Sequence, residues 1–297
     1  MKKGITTEEL SYSFTEEEAI KKYAEIGFDA LDYSYDMYAY SGSPYDCDDY
    51  LDYAKKIKRI ADENQIRINQ LHAPLYHHRL DKPMSDKEAK EEQLLKKLTF
   101  RSFEVAHILD CHYIVMHPRK FSNYKTQEDH LSLRKYNIDM FRDWIPYAKK
   151  YNVKIAIENM FVFDSKTHTA ADTALRTAEE IVSYIEELGS EYFVACLDTG
   201  HANINGIDPS YMAKVLGNHL KVLHINDNYA NMDQHLICGL GTIDWDRFIS
   251  TLKEIEFDGV FSLETNGMIA NLDHLACEDC VRFEYQVINK ILEKFDE

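Results

Sequence analysis

Nine side chains able to bind a metal or move a proton recur at one kind of place in this 297-residue chain, at or just past the end of a short apolar run. They are His72 after "IRINQL", His117 after "HYIVM", Glu158 in "VKIAIEN", Asp198 closing "YFVACLD" and His201 three residues on. The rest are His224 in "LKVLHIN", Asp233 and His235 in "NMDQHLICGLG", and Glu264 in "GVFSLET". Taken singly, each has a bland reading: a lone His at a strand end is most often a hydrogen-bonded core residue, and a lone Glu a buried cap. Taken together they do not. A buried carboxylate without a partner is costly, and Glu158, Asp198 and Glu264 facing one another would repel. A divalent cation removes that cost by neutralising them and fixing their geometry. Carboxylates with one imidazole suit Mn²⁺, Mg²⁺, Co²⁺ or Zn²⁺, and no thiolate is offered at a strand end. Cys196 shares the strand face of Asp198 but lies deeper, and reads as barrel filling.

For these residues to meet, the runs that carry them must be parallel strands ending on one face. The runs lie near 28–34 and at 66–72, 112–117, 153–159, 192–198, 220–226 and 259–265, with a weaker first one at "KKGITT". Most are rich in Val, Ile and Leu without strict alternation, as strands buried on both faces are. Amphipathic helical segments separate them. "TEEEAIKKYAEIG" opens with a capping-box spacing and closes on Gly. The others are "DYLDYAKKIKRIADEN", "SDKEAKEEQLLKKLTFRSFEVAHIL", "LSLRKYNIDMFRDWIPYAKKYN", "TAEEIVSYIEELG", "PSYMAKVLGN", "DWDRFISTLKEIE" and "EDCVRFEYQVINKILEKF". Eight strand-then-helix units with no Pro-, Gly- or Ser-rich linker predict an α/β chain folded as a single (β/α)8 TIM barrel over 1–297. A doubly wound open sheet is the alternative; no GxGxxG follows the first strand to support it.

Composition narrows the partners. The chain is 45% hydrophobic and 29% charged, as soluble globular proteins are. With 34 Lys and Arg against 51 Asp and Glu its formal net charge is −17, which disfavours polyanions such as nucleic acid and anionic membranes. There is no apolar stretch long enough to span a bilayer, and "MKKGITTEELSYSF" has no apolar segment of the signal-peptide kind. The six cysteines are scattered, and the one CxxC, Cys277–Cys280, lacks a second pair and reads as helix cysteines in a reduced, cytoplasmic protein.

In "AIEN", "LDTGHAN", "HINDN", "DQHLICGLGTIDW" and "SLET" the chain resembles the xylose isomerase-like barrel superfamily. That superfamily holds sugar isomerases and epimerases of the tagatose/psicose 3-epimerase type, inosose-processing enzymes and endonuclease IV-type abasic-site nucleases. The resemblance spans nearly the whole chain. Its epimerase branch implies one divalent cation (Mn, Mg, Co or Zn) held by Glu158, Asp198, His224 and Glu264. The two Glu ligands double as the catalytic acid–base pair, and His201 binds a substrate oxygen. The implied reaction is isomerisation or epimerisation of a small sugar or polyol, by proton transfer through an enediolate whose charge the metal stabilises. A keto-polyol dehydratase or lyase would share the first proton abstraction. The nuclease branch implies two or three zinc ions, with His72, His117, His201, Asp233 and His235 as additional metal ligands rather than substrate contacts, and abasic DNA as substrate. All nine positions are filled here. The known epimerases place an Arg in the loop after strand seven; none lies between Asp227 and Gly241. A nuclease needs basic mouth loops, and these offer Arg79, Arg119, Lys120 and Lys166. A non-catalytic sugar-binding member is the third reading, and the full ligand set argues against it. The resemblance also raises a homo-oligomer.

Other features carry weaker expectations. "DYSYDMYAYSGSPYDCDDY" after strand two offers a sugar-stacking wall or an exposed Tyr-rich loop. "MFVFDSKTHTAAD" after strand five offers a lid. His77 and His78 either reach substrate or form a surface pair. Asp227 reads as ordering its loop, Gly239 and Gly241 as letting that loop turn tightly, and Trp245 as packing the following helix on the barrel.

Overall fold

Eight strands alternate with helices: β1 (Lys2–Thr6), β2 (Ala30–Tyr33), β3 (Arg67–His72), β4 (Tyr113–Met116), β5 (Lys154–Glu158), β6 (Phe193–Asp198), β7 (Leu220–His224) and β8 (Val260–Leu263). The computed structural model describes residues 1–296 apart from 123, 165, 166, 168 and 270–275. Every ladder is parallel, in the order β7-β6-β5-β4-β3-β2-β1-β8. The ring closes between β7 and β8 through the bridge Ile225–Leu263. There the Ile225 N–H donates to the Ser262 carbonyl at 2.8 Å and the Glu264 N–H to the Ile225 carbonyl at 3.0 Å. This is the (β/α)8 barrel that the alternation of patterns predicts.

The crossover helices begin and end where local chemistry tells them to. Thr15, Ser85 and Thr126 form capping boxes with Glu18, Glu88 and Asp129. Gly27, Asn152 and Gly189 close their helices in the left-handed conformation. Among the described residues, four short helices fall where the sequence reads as loop: Glu8–Ser11, the 3-10 turn Tyr35–Tyr38, Thr199–Ile204 and Asn266–Ile269. All four follow closely on a strand and lie at the mouth. No described helix is long and apolar enough to cross a membrane.

The two-residue period of a strand sorts side chains into an outer and an inner set. Ile155, Ile157, Ala195, Leu197 and Leu223 join the large core under the helices. Ala156, Val194, Cys196, Val222 and Val115 form a separate inner cluster that plugs the barrel. One pleat further along the same inward rows stand His117, Glu158, Asp198 and His224. Asp198 pairs with His224, and Glu158 pairs with Cys196, one pleat before Asp198 on β6. Small apolar residues thus floor the barrel and a polar layer caps it. Cys196 belongs to the floor.

Candidate metal centre and active site

Four inward-facing residues converge on one point. His224 Nδ1 lies 3.5 Å from Glu158 Oε2 and 3.3 Å from Glu264 Oε2. Ligand atoms of Asp198, His224 and Glu264 all lie within 4.8 Å of one another, as do those of Glu158, Asp198 and His201. His224 is 1% exposed, and its Nδ1 has no hydrogen-bond partner although it is buried among carboxylates. An orphaned imidazole nitrogen facing three carboxylates is what a divalent cation satisfies, so the donor set fits the ion expected. Each donor is held from behind. Asp198 accepts from the His201 N–H at 2.6 Å and from Asn226 Nδ2 at 2.9 Å. Its backbone is clamped by both ends of the Asn159 amide. Asp32 Oδ2 stands 2.9 Å behind His224 Nε2, an ion-pair contact whose angle falls short of a hydrogen bond.

The other five candidates surround this point. His72, His201 and His235 each place Nδ1 at 2.8–2.9 Å from a backbone carbonyl, of Ala73, Asn159 and Glu264 respectively. With Nδ1–H donating there, each ring turns its Nε2 into the cavity. His72 Nε2 sits 3.2 Å from His117 Nε2, which in turn lies 2.9 Å from Glu158 Oε2. His235 and His201 present Nε2 at 3.1 and 3.7 Å from Asp233 Oδ2. All nine side chains picked out along the sequence therefore stand around one mouth. They fall into a central group and two flanking ones, His72–His117–Glu158 and His201–Asp233–His235.

Electrostatics follow from crowding acids in a dry place. Burial pushes Glu264 up to about 8, against the pull of the His224 and His235 imidazoles. Burial acts likewise on Glu158, but the imidazoles of His117 and His224 outweigh it and hold that carboxylate well below its ordinary range. Burial disfavours protonated imidazoles, yet the surrounding carboxylates raise His72 to about 9 and His201 to about 10, and lift His224 and His235 well above their ordinary value. His117 goes the other way, pushed down to about 4 by burial. Positive charge collects on the imidazoles because the acids demand it; these protons stand in for a cation.

The cavity above measures about 310 Å³. Its wall includes Glu8, Asp32, Asp36, Glu158, Asp233 and Glu264, with Thr6, Ser34 and Asn266, and among its described lining residues there is no Lys or Arg. The contributions of Thr6 and Asp32 from β1 and β2, and of Glu8 and Asp36 from the short helices that follow them, go beyond the sequence reading. An Asp inside "ALDYS" carries no motif; only its inward position in β2, just after the register shift between Leu31 and Asp32, signals it. The Tyr-rich segment does not supply a stacking wall from Tyr33, Tyr35 or Tyr45. These are fully buried, Tyr33 and Tyr45 joined hydroxyl to hydroxyl at 2.7 Å and Tyr35 donating to the Leu98 carbonyl. His77 and His78 line a separate recess beside Glu88 and Glu91. The segment after β5 turns back on itself through the bridge Phe163–Ala170 and brings the Phe161 ring to 4.7 Å from that of His201. Lys166 lies outside the described residues. Arg119 is drawn away from the mouth, ion-paired with Glu92 and stacked 4.8 Å from the Tyr76 ring.

The loop after β7 is organised by Asp227, as expected. Its carboxylate accepts from the backbone N–H groups of Gly239 (2.9 Å) and Thr242 (3.1 Å) and from the Trp245 indole (2.9 Å). Gly239 has φ +86°, and a Cβ on Gly241 would sit 2.2 Å from Asp227 Oδ1 and 2.3 Å from the Asn228 carbonyl. Those two glycines let the backbone wrap the buried carboxylate and present Asp233 and His235 to the cavity.

Comparison with known proteins places the chain among barrels of this fold. An uncharacterised protein of Methanocaldococcus jannaschii, MJ1311, is 26% identical over 224 residues, 71% of each chain. A D-psicose 3-epimerase of Enterocloster bolteae is 28% identical over 90 residues, 30% of this chain and 28% of that one. A probable endonuclease 4 of Mesomycoplasma hyopneumoniae is 26% identical over 174 residues, 54% and 57% of the two chains. Among solved structures, a zinc-bound IOLI protein superposes with a TM-score of 0.75 at 17% identity, covering 100% of both chains. A D-psicose 3-epimerase crystallised with D-fructose gives 0.72 at 18%, covering 98% and 99%. At such identities the structural likeness is one of fold. The family model described as xylose isomerase-like TIM barrel matches residues 20–278, and the chain belongs to that family.

Proposed function

We propose that the protein is a divalent-metal-dependent isomerase or epimerase of a small sugar or polyol. The observation that carries this is the pair Glu158 and Glu264, two carboxylates from strands five and eight that stand 3.5 and 3.3 Å from the same imidazole nitrogen. One carboxylate can take a proton while the other returns one. Glu158 is the base at a C–H next to a carbonyl, and Glu264 returns a proton from the strand-eight side. A divalent cation held by Glu158, Asp198, His224 and Glu264 would supply Lewis-acid polarisation of the substrate carbonyl. His201 and His235 orient hydroxyls through Nε2, their tautomers set by the backbone carbonyls behind them. The cavity volume suits a single sugar unit, and the relatives and neighbours named as sugar epimerases support the class.

The test is solvent exchange. Protein loaded with Mn²⁺ is incubated in deuterated water with a panel of ketoses, ketose phosphates and keto-polyols, and the carbon-bound hydrogens next to the carbonyl are read by NMR. Deuterium entry that disappears in Glu158→Gln and Glu264→Gln is the expected result. A panel with no exchange and no interconversion rejects the reading.

A second reading has its own observation. The two flanking groups, with the Nε2 atoms of His72, His201 and His235 beside Glu158 and Asp233, fit two further metal ions once deprotonated, and such a site suits phosphodiester hydrolysis as in the endonuclease relative. The acid-lined mouth weighs against a polyanion as substrate. Cleavage of an abasic-site duplex by zinc-loaded protein decides it.

A further inference from the structure

The strand-eight side of the site is pinned by a residue from the other end of the chain. Glu9, in the short helix after β1, is fully buried, and its Oε1 accepts from the Thr265 N–H at 2.7 Å and from the Thr265 hydroxyl at 3.0 Å. Its Oε2 is buried with no hydrogen-bond partner among the described residues. Burial pushes that carboxyl up to about 8, against the pull of the two Thr265 bonds. For the fold alone this is a costly way to fill the space. The Thr265 N–H and the Glu264 carbonyl belong to one planar peptide group. At its other end the carbonyl accepts from His235 Nδ1 at 2.8 Å. Glu9, that peptide and the His235 ring therefore form one chain of hydrogen bonds, in which acceptance at the N–H strengthens the carbonyl as an acceptor. The preceding peptide is held as well, by the Glu264 N–H on the Ile225 carbonyl at 3.0 Å. With both flanking peptides fixed, the backbone angles of Glu264 and so its side-chain rotamers are restricted. His235 has φ +43°, a left-handed conformation that a residue other than Gly keeps only where its surroundings over-determine it.

Resting on the isomerase/epimerase reading of this cavity, we propose that Glu9 is a positioning residue for it, setting through the Glu264–Thr265 peptide both the aim of the Glu264 carboxylate and the orientation of the His235 ring. Glu9 acts from behind the cavity, whose wall it does not join. Its role is that of an acceptor, and a carboxylate and a carboxyl protonated on Oε2 both offer the lone pair on Oε1. An apolar side chain of the same length would leave the buried Thr265 N–H without an acceptor, and the peptide would turn to find one. A Gln would keep both the acceptor and the shape.

The experiment compares wild type with Glu9→Met, which keeps the length and removes the acceptor, and Glu9→Gln, which keeps both. Glu9→Asp, too short to reach Thr265, takes the place of the Met variant if that variant fails to fold. Two quantities are read. One is Mn²⁺ affinity, by competition with a chromogenic chelator. The other is the exchange-protected Nδ1 proton of His235 in metal-free protein with isotope-labelled histidine, assigned by its loss in His235→Gln. Glu9→Met is expected to weaken Mn²⁺ binding by about tenfold or more and to lose the protected proton, while Glu9→Gln stays within about threefold of wild type and keeps it. In a Glu264→Gln background the Met substitution should change Mn²⁺ affinity by less than about twofold, because the ligand that Glu9 positions is gone. A purely structural role would carry the full loss into that background, and that result overturns the proposal. Wild-type Mn²⁺ affinity in Glu9→Met overturns it too, as does a His235 proton that is unprotected in wild type or unchanged in Glu9→Met. A loss in Glu9→Gln equal to that in Glu9→Met does the same, because the acceptor would then not be what matters. If wild type exchanges no sugar hydrogen, the isomerase reading falls and the His235 proton alone decides the role of Glu9. Exchange in wild type, with Glu9→Met matching it in both quantities, would keep the isomerase and discard the positioning residue.

Discussion

Replacing Asp32 by Asn is expected to weaken divalent-metal binding by about tenfold to a hundredfold, or about 1.4–2.7 kcal/mol. Asp32 is 3% exposed, and one oxygen, Oδ2, meets both Gln70 Nε2 and His224 Nε2 at 2.9 Å; Oδ1 has no partner. Asn keeps the volume, and with its oxygen in the Oδ2 position it still accepts from Gln70. What is lost is the negative charge behind the ring, which makes Nδ1 a better donor and keeps the proton on Nε2. The pH dependence separates this from a packing defect. In the metal-free protein the surrounding carboxylates, Asp32 among them, raise His224 well above its ordinary value, and the proton on Nδ1 competes with metal. Removing the charge weakens both competitors. The net loss of apparent affinity is therefore small at low pH, where proton release becomes easier, and reaches full size at high pH, where that proton has already gone. Competition against a chromogenic chelator at about pH 6 and about pH 9 measures this, with a thermal melt to verify the fold. Unchanged affinity at the higher pH would refute the reasoning; an equal loss at both would mean that the substitution disturbed packing instead.

Further outcomes can be checked with the same protein. Glu158→Gln and Glu264→Gln should each lower exchange or turnover by at least about 10²-fold with near-native circular dichroism, and full activity in either discards the acid–base assignment. Protein purified without chelator should carry about one Mn, Mg or Co per chain if only the central group is filled, and two or three Zn if the flanking groups are ligands as well. Stripping the metal should lower the melting temperature, since a ligand present at about a hundredfold its Kd stabilises by about 2.7 kcal/mol; an indifferent melt counts against a site in the folded state. Metal binding near neutral pH should release protons, because His224, lifted well above its ordinary value, must lose one to bind. Calorimetry in two buffers of different ionisation enthalpy reads the number, and zero release contradicts the imidazole charges. Gly241→Ala forces a Cβ against the Asp227 carboxylate and the Asn228 backbone and should cost about 1–3 kcal/mol; a melt matching wild type would show that the loop gives way.

Much of this protein is legible in its sequence because the causes are local. Continuous Val/Ile/Leu runs specify strands buried on both faces, and Thr15 with Glu18 and a closing Gly27 mark a helix by themselves. Parallel strands all end on one face, so reading the last residue of each run was enough to collect the nine candidates around one mouth. What lies beyond that is decided by groups distant along the chain. Asp32 matters only because the barrel brings His224 to 2.9 Å from it. Tyr33, Tyr35 and Tyr45, which could have lined a sugar site, instead pack into the core, where Tyr33 and Tyr45 join their hydroxyls and Tyr35 meets the Leu98 carbonyl. Arg119 reads as part of a basic mouth loop, yet it is neutralised by Glu92, 27 residues before it. Which imidazole nitrogen is free is set by backbone carbonyls that no spacing rule reveals. Composition and period determine where ligands can stand. Desolvation and the nearest charge decide which of them hold protons and which wait for a partner, and those depend on distances that exist only in the folded barrel.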